Sequence, residues 1–161
     1  MRTFSVVLIA LFLIFSMSYS QNVSALQAFS SAITPDEKKE TPKIIYLDRE
    51  KFKKMIFNYE TEKEWKYLGG KPAIIDFYAD WCGPCRMVAP TLEELQKEYG
   101  NKIQIYKVNT QYEQELAAIF GITGIPAFLF IPVEGTPTMG TGAMPKQAFE
   151  EYINKILKVS K

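Results

Sequence analysis

The stretch DFYADWCGPC, residues 76–85, holds both cysteines of this 161-residue chain, separated by Gly-Pro. It continues an apolar run, AIIDFYA at 73–79. A near-continuous apolar run of this length is typical of a strand that is buried on both faces of a sheet. Three interpretations of the paired thiols are open from the residues alone: half of a metal site, a small structural staple, or a redox pair that opens and closes.

The composition indicates a globular domain, because 47% of the residues are hydrophobic and the formal net charge is only +1. The basic residues are spread out, without the stripe that would follow a phosphate backbone, so we expect no nucleic-acid partner. The chain has no histidine. Mechanisms that depend on a Cys-His or Ser-His pair, or on histidine metal ligands, are therefore excluded.

The N-terminus predicts export. Arg2 precedes an unbroken apolar run from Val6 to Phe15, and Ser18 and Ser20 stand at the two positions that a signal peptidase reads. As a helix this run would span only about 15 Å, half of a bilayer core of roughly 30 Å. Cleavage of a signal peptide is therefore favoured over an uncleaved membrane anchor, which is the alternative.

The predicted organisation is a signal peptide at 1–20, a linker at 21–42 that is expected to be flexible, and one folded domain at 43–161. The linker is rich in Ser, Ala and Gln and then in charged residues, without a sustained period. Export would place the cysteines in a compartment where disulfides form, so we expect the protein in the periplasm.

From residue 43 onward the apolar spacing predicts the order β-α-β-α-β-α-β-β-α. Strands that alternate with helices indicate an α/β fold, in which a mixed, mostly parallel sheet ends in an antiparallel hairpin and carries helices on both faces. The strands are expected at 44–47, 73–79, 103–108, 127–131 and 138–141, and the third helix at 113–120. The helical side chains expected to face the core include Phe52, Met55, Ile56, Tyr59, Met87, Val88, Leu92, Leu95, Tyr99, Leu116, Ile119, Phe120, Phe149 and Ile153.

Four features of the sequence resemble the thioredoxins: DFYADWCGPC at 76–85, Pro90, GITGIP at 121–126 and GTGAMP at 140–145. The resemblance extends from about residue 43 to residue 158. It implies the thioredoxin fold and a thiol-disulfide oxidoreductase without a cofactor or metal beyond its own redox-active disulfide.

The redox interpretation of Cys82 and Cys85 is favoured over the other two. Structural zinc takes four ligands, usually Cys or His, and a bridge across so short a loop restrains little chain. Cys82 is expected at the start of a helix, where free backbone N–H groups stabilise a thiolate, so it would be the nucleophile. Cys85, one turn further in and less exposed, would resolve the mixed disulfide. In the family, Gly-Pro between the cysteines accompanies the reducing members.

Asp76 is a candidate proton acceptor. It lies in the middle of a predicted buried strand, where desolvation raises the pKa of a carboxyl group, and it could take the proton of Cys85. The resemblance implies the same role and assigns Lys107 as the lysine that faces Asp76. The alternatives are a strand-edge aspartate that reaches water and a solvated strand-end lysine.

The resemblance also implies a shallow apolar groove around Cys82 for extended or unfolded protein segments, with Pro126 in the cis form. Its expected lining is Trp81, Gly83, Pro84, Ile125, Pro126, Gly142 and Ala143. Tyr78, Arg86 and Thr141 depart from the common family pattern. We expect these departures to alter partner choice without touching the sulfur chemistry.

The resulting expectation is a monomeric, extracytoplasmic reductase of protein disulfides, re-reduced by a membrane electron donor or another reductase. Three rivals are open: a disulfide oxidase or isomerase, a reductant dedicated to cytochrome c maturation, and a non-enzymatic binding module with incidental cysteines.

Overall fold

The computed structural model describes residues 42–161. The predicted signal peptide at 1–20 and all but the last residue of the predicted linker at 21–42 lie outside the described residues. Within 42–161, every helix is too short or too polar to cross a bilayer.

Five strands form one sheet with the order β1-β3-β2-β4-β5. The strands β1 and β2 each pair with β3 in parallel, whereas β4 runs antiparallel to both β2 and β5. They span Ile45–Tyr46 (β1), Ala73–Tyr78 (β2), Gln104–Asn109 (β3), Ala127–Ile131 (β4) and Thr138–Thr141 (β5). The expected mixed sheet with a closing hairpin is confirmed.

Of the five strands in the described part of the chain, β4 alone runs against the other four. It starts at the end of the sheet at which β2 and β3 stop, with Ala127 opposite Phe77.

Helices cover both faces of the sheet, as expected. They span Arg49–Met55 (α1), Gly83–Tyr99 (α2), Gln114–Ile119 (α3) and Lys146–Tyr152 (α4), with a 3-10 turn at Gly100–Lys102 and a π-helical turn at Ile153–Leu157. The Asp48 carboxylate caps α1 by accepting a hydrogen bond from the Lys51 amide at 2.8 Å.

Two side chains expected in the core are exposed instead. Met87 is 71% exposed, and Ile119 is 43% exposed. In α2 the buried positions repeat every three or four residues and include Val88, Leu92 and Leu95. Met87 precedes Val88 by one residue and so lies about 100° around the helix from this face.

Alternate side chains of the strands build a core on each face of the sheet. Ile75 and Phe77 pack towards α1 and α3 with Phe52 and Leu116. On the other face the core lies under α2 and α4, and it contains Ile74, Ile105, Phe128, Phe130, Leu92, Leu95 and Phe149. Asp76 and Tyr78 alternate with Ile75 and Phe77, so both belong to the face that α2 covers.

The long connection between α1 and β2 is anchored to the first core. Its Trp65 ring lies 4.9 Å from the ring of Phe57 and 6.2 Å from that of Phe120. The Leu68 amide donates to the Ile56 carbonyl at 2.9 Å. This connection therefore extends the α1–α3 side of the domain and lies on the face of the sheet opposite α2.

Candidate active site

The two cysteines lie where β2 passes into α2 and form a disulfide with an S–S distance of 2.09 Å. Cys82 is the N-cap of α2, and its Sγ accepts a hydrogen bond from the Cys85 backbone amide at 3.2 Å. Pro84 occupies the first turn of the helix, where its missing N–H leaves no bond unmade. This arrangement places free helical N–H groups, and the positive end of the helix dipole, at the Cys82 sulfur.

Both cysteines are buried in the oxidised protein: Cys82 is 3% exposed and Cys85 is 4% exposed. The expected difference, with Cys82 the more exposed, is therefore absent. Ala79 packs with the pair, and the partly buried side chains of Tyr78 and Ile125 pack against this cluster. The buried state follows because a bonded sulfur of Cys82 points at its partner in the helix and not outward.

Asp76 is paired across the sheet with Lys107, directly opposite it in the β2–β3 register. The Lys107 Nζ lies 3.1 Å from Asp76 Oδ2. Asp76 is 1% exposed and Lys107 8%, so neither alternative, the water-exposed aspartate or the solvated lysine, is present.

The second carboxylate oxygen of Asp76, Oδ1, is buried and has no hydrogen-bond partner among residues 42–161. Desolvation raises the pKa of Asp76 above its ordinary value, and the charge and hydrogen bond of Lys107 oppose this rise. The carboxyl is therefore a stronger proton acceptor than a solvated one, as the sequence predicts for this position.

Tyr78 contacts both halves of this site. Its side chain packs against the cluster of Ala79, Cys82 and Cys85, and the Lys107 Nζ lies 4.4 Å from the centre of its ring. The ring of Tyr46 meets it edge-on, with the centroids 6.4 Å apart. The end of β2 therefore places the Tyr78 ring beside the disulfide, and the expectation that this residue leaves the sulfur chemistry untouched remains a prediction.

The Ile125–Pro126 bond is cis, as the resemblance implies. Pro126 is buried, and its carbonyl accepts a hydrogen bond from the Gly142 amide at 2.8 Å. Gly142 has a φ of +82°, a conformation that side chains disfavour, so a glycine suits this contact. Since Ile125 packs against the cysteines, the structure brings Ile125, Pro126 and Gly142 together at the disulfide.

The remaining predicted groove residues form the exposed surroundings of Cys82. Trp81 is 69% exposed, which excludes a core role, and Pro84 and Ala143 are also exposed. Gly83 is partly exposed between the cysteines. Arg86 folds back from the first turn of α2 and donates to the Asp80 carbonyl at 2.9 Å, so it adds positive charge to this surface.

Comparisons with known proteins agree with the fold and the site. The thioredoxin family model matches residues 43–155. The chain is 47% identical to the thioredoxin of Borreliella burgdorferi over 109 residues, which cover 68% of the chain and 93% of that protein. It is 42% identical to the thioredoxin of Bacillus subtilis over 84 residues, which cover 52% of the chain and 81% of that protein.

Among solved structures, the crystal structure of chloroplastic thioredoxin z superposes with a TM-score of 0.60 at 23% identity, covering 73% of the chain and 96% of that chain. This likeness concerns the fold alone. Thioredoxins reduce protein disulfides, are re-reduced by reductases, and use their redox-active disulfide without a further cofactor. Together with the disulfide at the start of α2, these matches show that the chain belongs to the thioredoxin family and is a protein-disulfide oxidoreductase.

Proposed function

We propose that this thioredoxin reduces disulfides of exported proteins in an extracytoplasmic compartment, with Cys82 as nucleophile and Cys85 as resolving residue. The predicted signal peptide at 1–20 supports the compartment. The observation that carries the sulfur roles is the position of Cys82 as the N-cap of α2, with the Cys85 amide 3.2 Å from its Sγ.

The first step is attack by the reduced protein. The helix start lowers the free energy of the Cys82 thiolate, which is the nucleophilic form of the thiol. This thiolate attacks one sulfur of a substrate disulfide. A Cys82–substrate bond forms, the substrate S–S bond breaks, and the first substrate thiolate leaves with the electron pair of that bond.

The second step resolves the mixed disulfide. The Cys85 thiol gives its proton to the Asp76 carboxylate, directly or through one water, and the resulting thiolate attacks Cys82 Sγ. The Cys82–Cys85 bond forms as the Cys82–substrate bond breaks, and the second substrate thiolate leaves. Lys107, 3.1 Å from Asp76, limits the rise in the pKa of the carboxyl so that it can still release the proton afterwards.

Substrate binding uses the surface around the cis Ile125–Pro126 bond. Pro126 has no N–H, and the backbone of Ile125 is available to pair with an extended substrate segment. The exposed ring of Trp81 adds apolar contact area beside Cys82. Extended or unfolded proteins are the substrates that suit an open surface of this kind.

Each turnover leaves the protein oxidised, so net reduction needs two electrons from a donor. We propose a membrane electron donor or another reductase for this role, since the substrate compartment is oxidising. The direction of the reaction is tested by equilibrating the Cys82–Cys85 pair with a glutathione redox buffer. A strongly reducing pair supports a reductase, and a pair at the oxidising end would indicate an oxidase or isomerase.

Single-cysteine variants test the sulfur roles. Cys82→Ser should abolish insulin reduction, and activity near the wild-type level would overturn its role as nucleophile. Cys85→Ser should accumulate mixed disulfides with exported proteins on non-reducing gels, and their absence would overturn the resolving role. A double serine variant that kept its phenotype in cells would indicate a binding module instead.

The compartment is tested separately, by fusing residues 1–42 to a reporter enzyme that is active only after export. Reporter activity outside the cytoplasm supports the proposed location. A reporter that stays inactive while the domain itself reduces insulin would overturn the location and leave the chemistry intact.

A further inference from the structure

Tyr78 lies between the disulfide and the buried ion pair, and it takes no part in the sulfur exchange or the substrate binding proposed above. We propose that Tyr78 is a positioning residue for disulfide exchange, whose ring holds the Lys107 ammonium against the Asp76 carboxylate. The inference rests on the proposed function, in which Asp76 accepts the proton of Cys85.

The strand register creates this arrangement. Asp76 and Tyr78 are two residues apart on β2, so their side chains share one face of the sheet. Lys107 of β3 stands opposite Asp76 on the same face. Its ammonium therefore has two neighbours on β2: the carboxylate at 3.1 Å and the Tyr78 ring, with its centre at 4.4 Å. A cation this close to a ring is attracted by the negative charge density of the ring face.

The Lys107 ammonium has an alternative position, in solvent, and the Tyr78 ring favours its present position beside Asp76. Lys107 lines an open cleft of about 420 Å³ between β1 and α2. Its side chain is only 9% exposed, so the ammonium currently points away from this solvent. A lysine has a flexible four-carbon stem and a strongly hydrated charge. Without the ring, the ammonium would move into the cleft, and Asp76 would lose part of the charge that opposes its desolvation.

The other charged groups around the pair do not replace this contact. Glu93 is the carboxylate that α2 contributes to the cleft, and it would attract Lys107 away from Asp76. The Asp80 carboxylate, just after the end of β2, accepts a hydrogen bond from the side-chain amide of Asn109 at 3.1 Å. The titratable and charged groups that face Asp76, Lys107 or Tyr78 are Lys43, Tyr46, Asp80, Glu93, Lys97 and the two cysteines.

Burial raises the pKa of Tyr78, with smaller contributions from Tyr46 and Asp80. The phenol therefore stays neutral over the working pH range, and its ring does not add a negative charge beside Asp76. The cation–π contact uses the face of the ring and not the hydroxyl, so phenylalanine should replace tyrosine here.

The test is stopped-flow reduction of a chromogenic aryl disulfide by the full reduced domain. Each protein molecule releases two coloured thiolates, the first when Cys82 attacks and the second when Cys85 attacks. The rate of the second release is measured across pH for the wild type, Tyr78→Leu, Tyr78→Phe and Tyr78→Trp. Tyr112→Leu is the matched control, because Tyr112 is 69% exposed and lies outside the site.

We expect Tyr78→Leu to slow the second release about two- to fivefold on the acidic limb, the range that one cation–π contact supports, and to match the wild type on the alkaline plateau. The first release should be unchanged. Tyr78→Phe and Tyr112→Leu should follow the wild type, and Tyr78→Trp should be faster on the acidic limb, because indole attracts cations more strongly. A slowing that is equal at every pH, or no slowing, overturns the proposal.

Two further comparisons keep the outcome decisive. If Tyr78→Leu does not fold, a Tyr78→Trp variant that is no faster than Tyr78→Phe on the acidic limb overturns the proposal. Asp76→Asn tests the underlying function. If its second release keeps the wild-type pH dependence, Asp76 is not the proton acceptor and the role of Tyr78 falls with it. If Asp76→Asn flattens the profile while the Tyr78 variants follow the wild type, only the role of Tyr78 is wrong.

Discussion

Replacement of Lys107 by Met should destabilise the protein by an amount that grows with pH. Asp76 is 1% exposed, one of its oxygens lies 3.1 Å from Lys107 Nζ, and the other has no hydrogen-bond partner within the described part of the chain. Methionine fills a similar volume but leaves this carboxylate buried without a counter-ion. Removing one member of a buried ion pair costs about 3–5 kcal/mol when the other member stays charged.

The pH dependence follows from the protonation of Asp76. Its pKa is raised by burial in the folded protein, and Lys107→Met removes the opposing effect. In the unfolded chain an aspartate titrates at about 3.9. Between that pH and the higher folded-state pKa, the folded protein binds more protons than the unfolded chain, so its stability falls as pH rises. The loss should be small near about pH 4 and complete above the folded-state pKa.

Urea unfolding of the oxidised protein, followed by far-ultraviolet circular dichroism at about pH 4 and about pH 8, measures this difference. The double variant Asp76→Leu/Lys107→Met removes both charges with little change in shape. It should equal the wild type or exceed its stability by about 1–4 kcal/mol at the higher pH. Lys155→Met, on an exposed side chain, is the matched control and should leave the midpoint nearly unchanged.

Two results would refute this reasoning. An equal loss for Lys107→Met at both pH values would mean that Asp76 is not the titrating group behind it. A double variant less stable than Lys107→Met would mean that the unpaired carboxylate does not cause the loss.

Two other substitutions test single contacts. Gln96→Leu should lower the free energy of unfolding by about 1–3 kcal/mol. The buried side-chain oxygen of Gln96 accepts a hydrogen bond from the Ile105 backbone N–H at 2.6 Å, and leucine leaves that N–H unpaired. An unchanged free energy in urea unfolding would mean that water takes the place of the Gln96 side chain. Gly142→Ala should raise the KM for insulin with little change in kcat. Alanine disfavours the φ of +82° at which the Gly142 amide donates to the Pro126 carbonyl. An unchanged KM would mean that this loop does not take part in substrate binding.

Most of the secondary structure could be predicted, because local signals mark its elements. The strands at 127–131 and 138–141 match the prediction to the residue, since Pro126 and Pro132 bound the first and Pro137 and Gly142 bound the second. The direction of β4 could not be predicted from its own residues. It depends on the pairing of β4 with β2, which is distant in the sequence. The helix α3 is one residue shorter at each end than the predicted 113–120.

The site divides in the same way. Cys82 at the helix start and Asp76 in a buried strand follow from local sequence. The contact between Tyr78 and Lys107 does not, because it depends on the register of β3 against β2. Tyr78 was noticeable in the sequence only as a departure from the family pattern, and the one available signal was its spacing of two residues from Asp76.

The partial pairing of the Asp76 carboxylate explains both why its burial costs stability and why it can accept a proton. A carboxylate with both oxygens bonded to cations would stay ionised and accept a proton poorly, whereas one with no partner would already be protonated. Asp76 lies between these limits, with one oxygen on Lys107 and the other without a partner among residues 42–161. The double variant Asp76→Leu/Lys107→Met should therefore keep or gain stability and lose the pH-dependent acceleration of the second thiolate release. If it were both more stable and as fast as the wild type in that step, the proton of Cys85 would have to leave by another route.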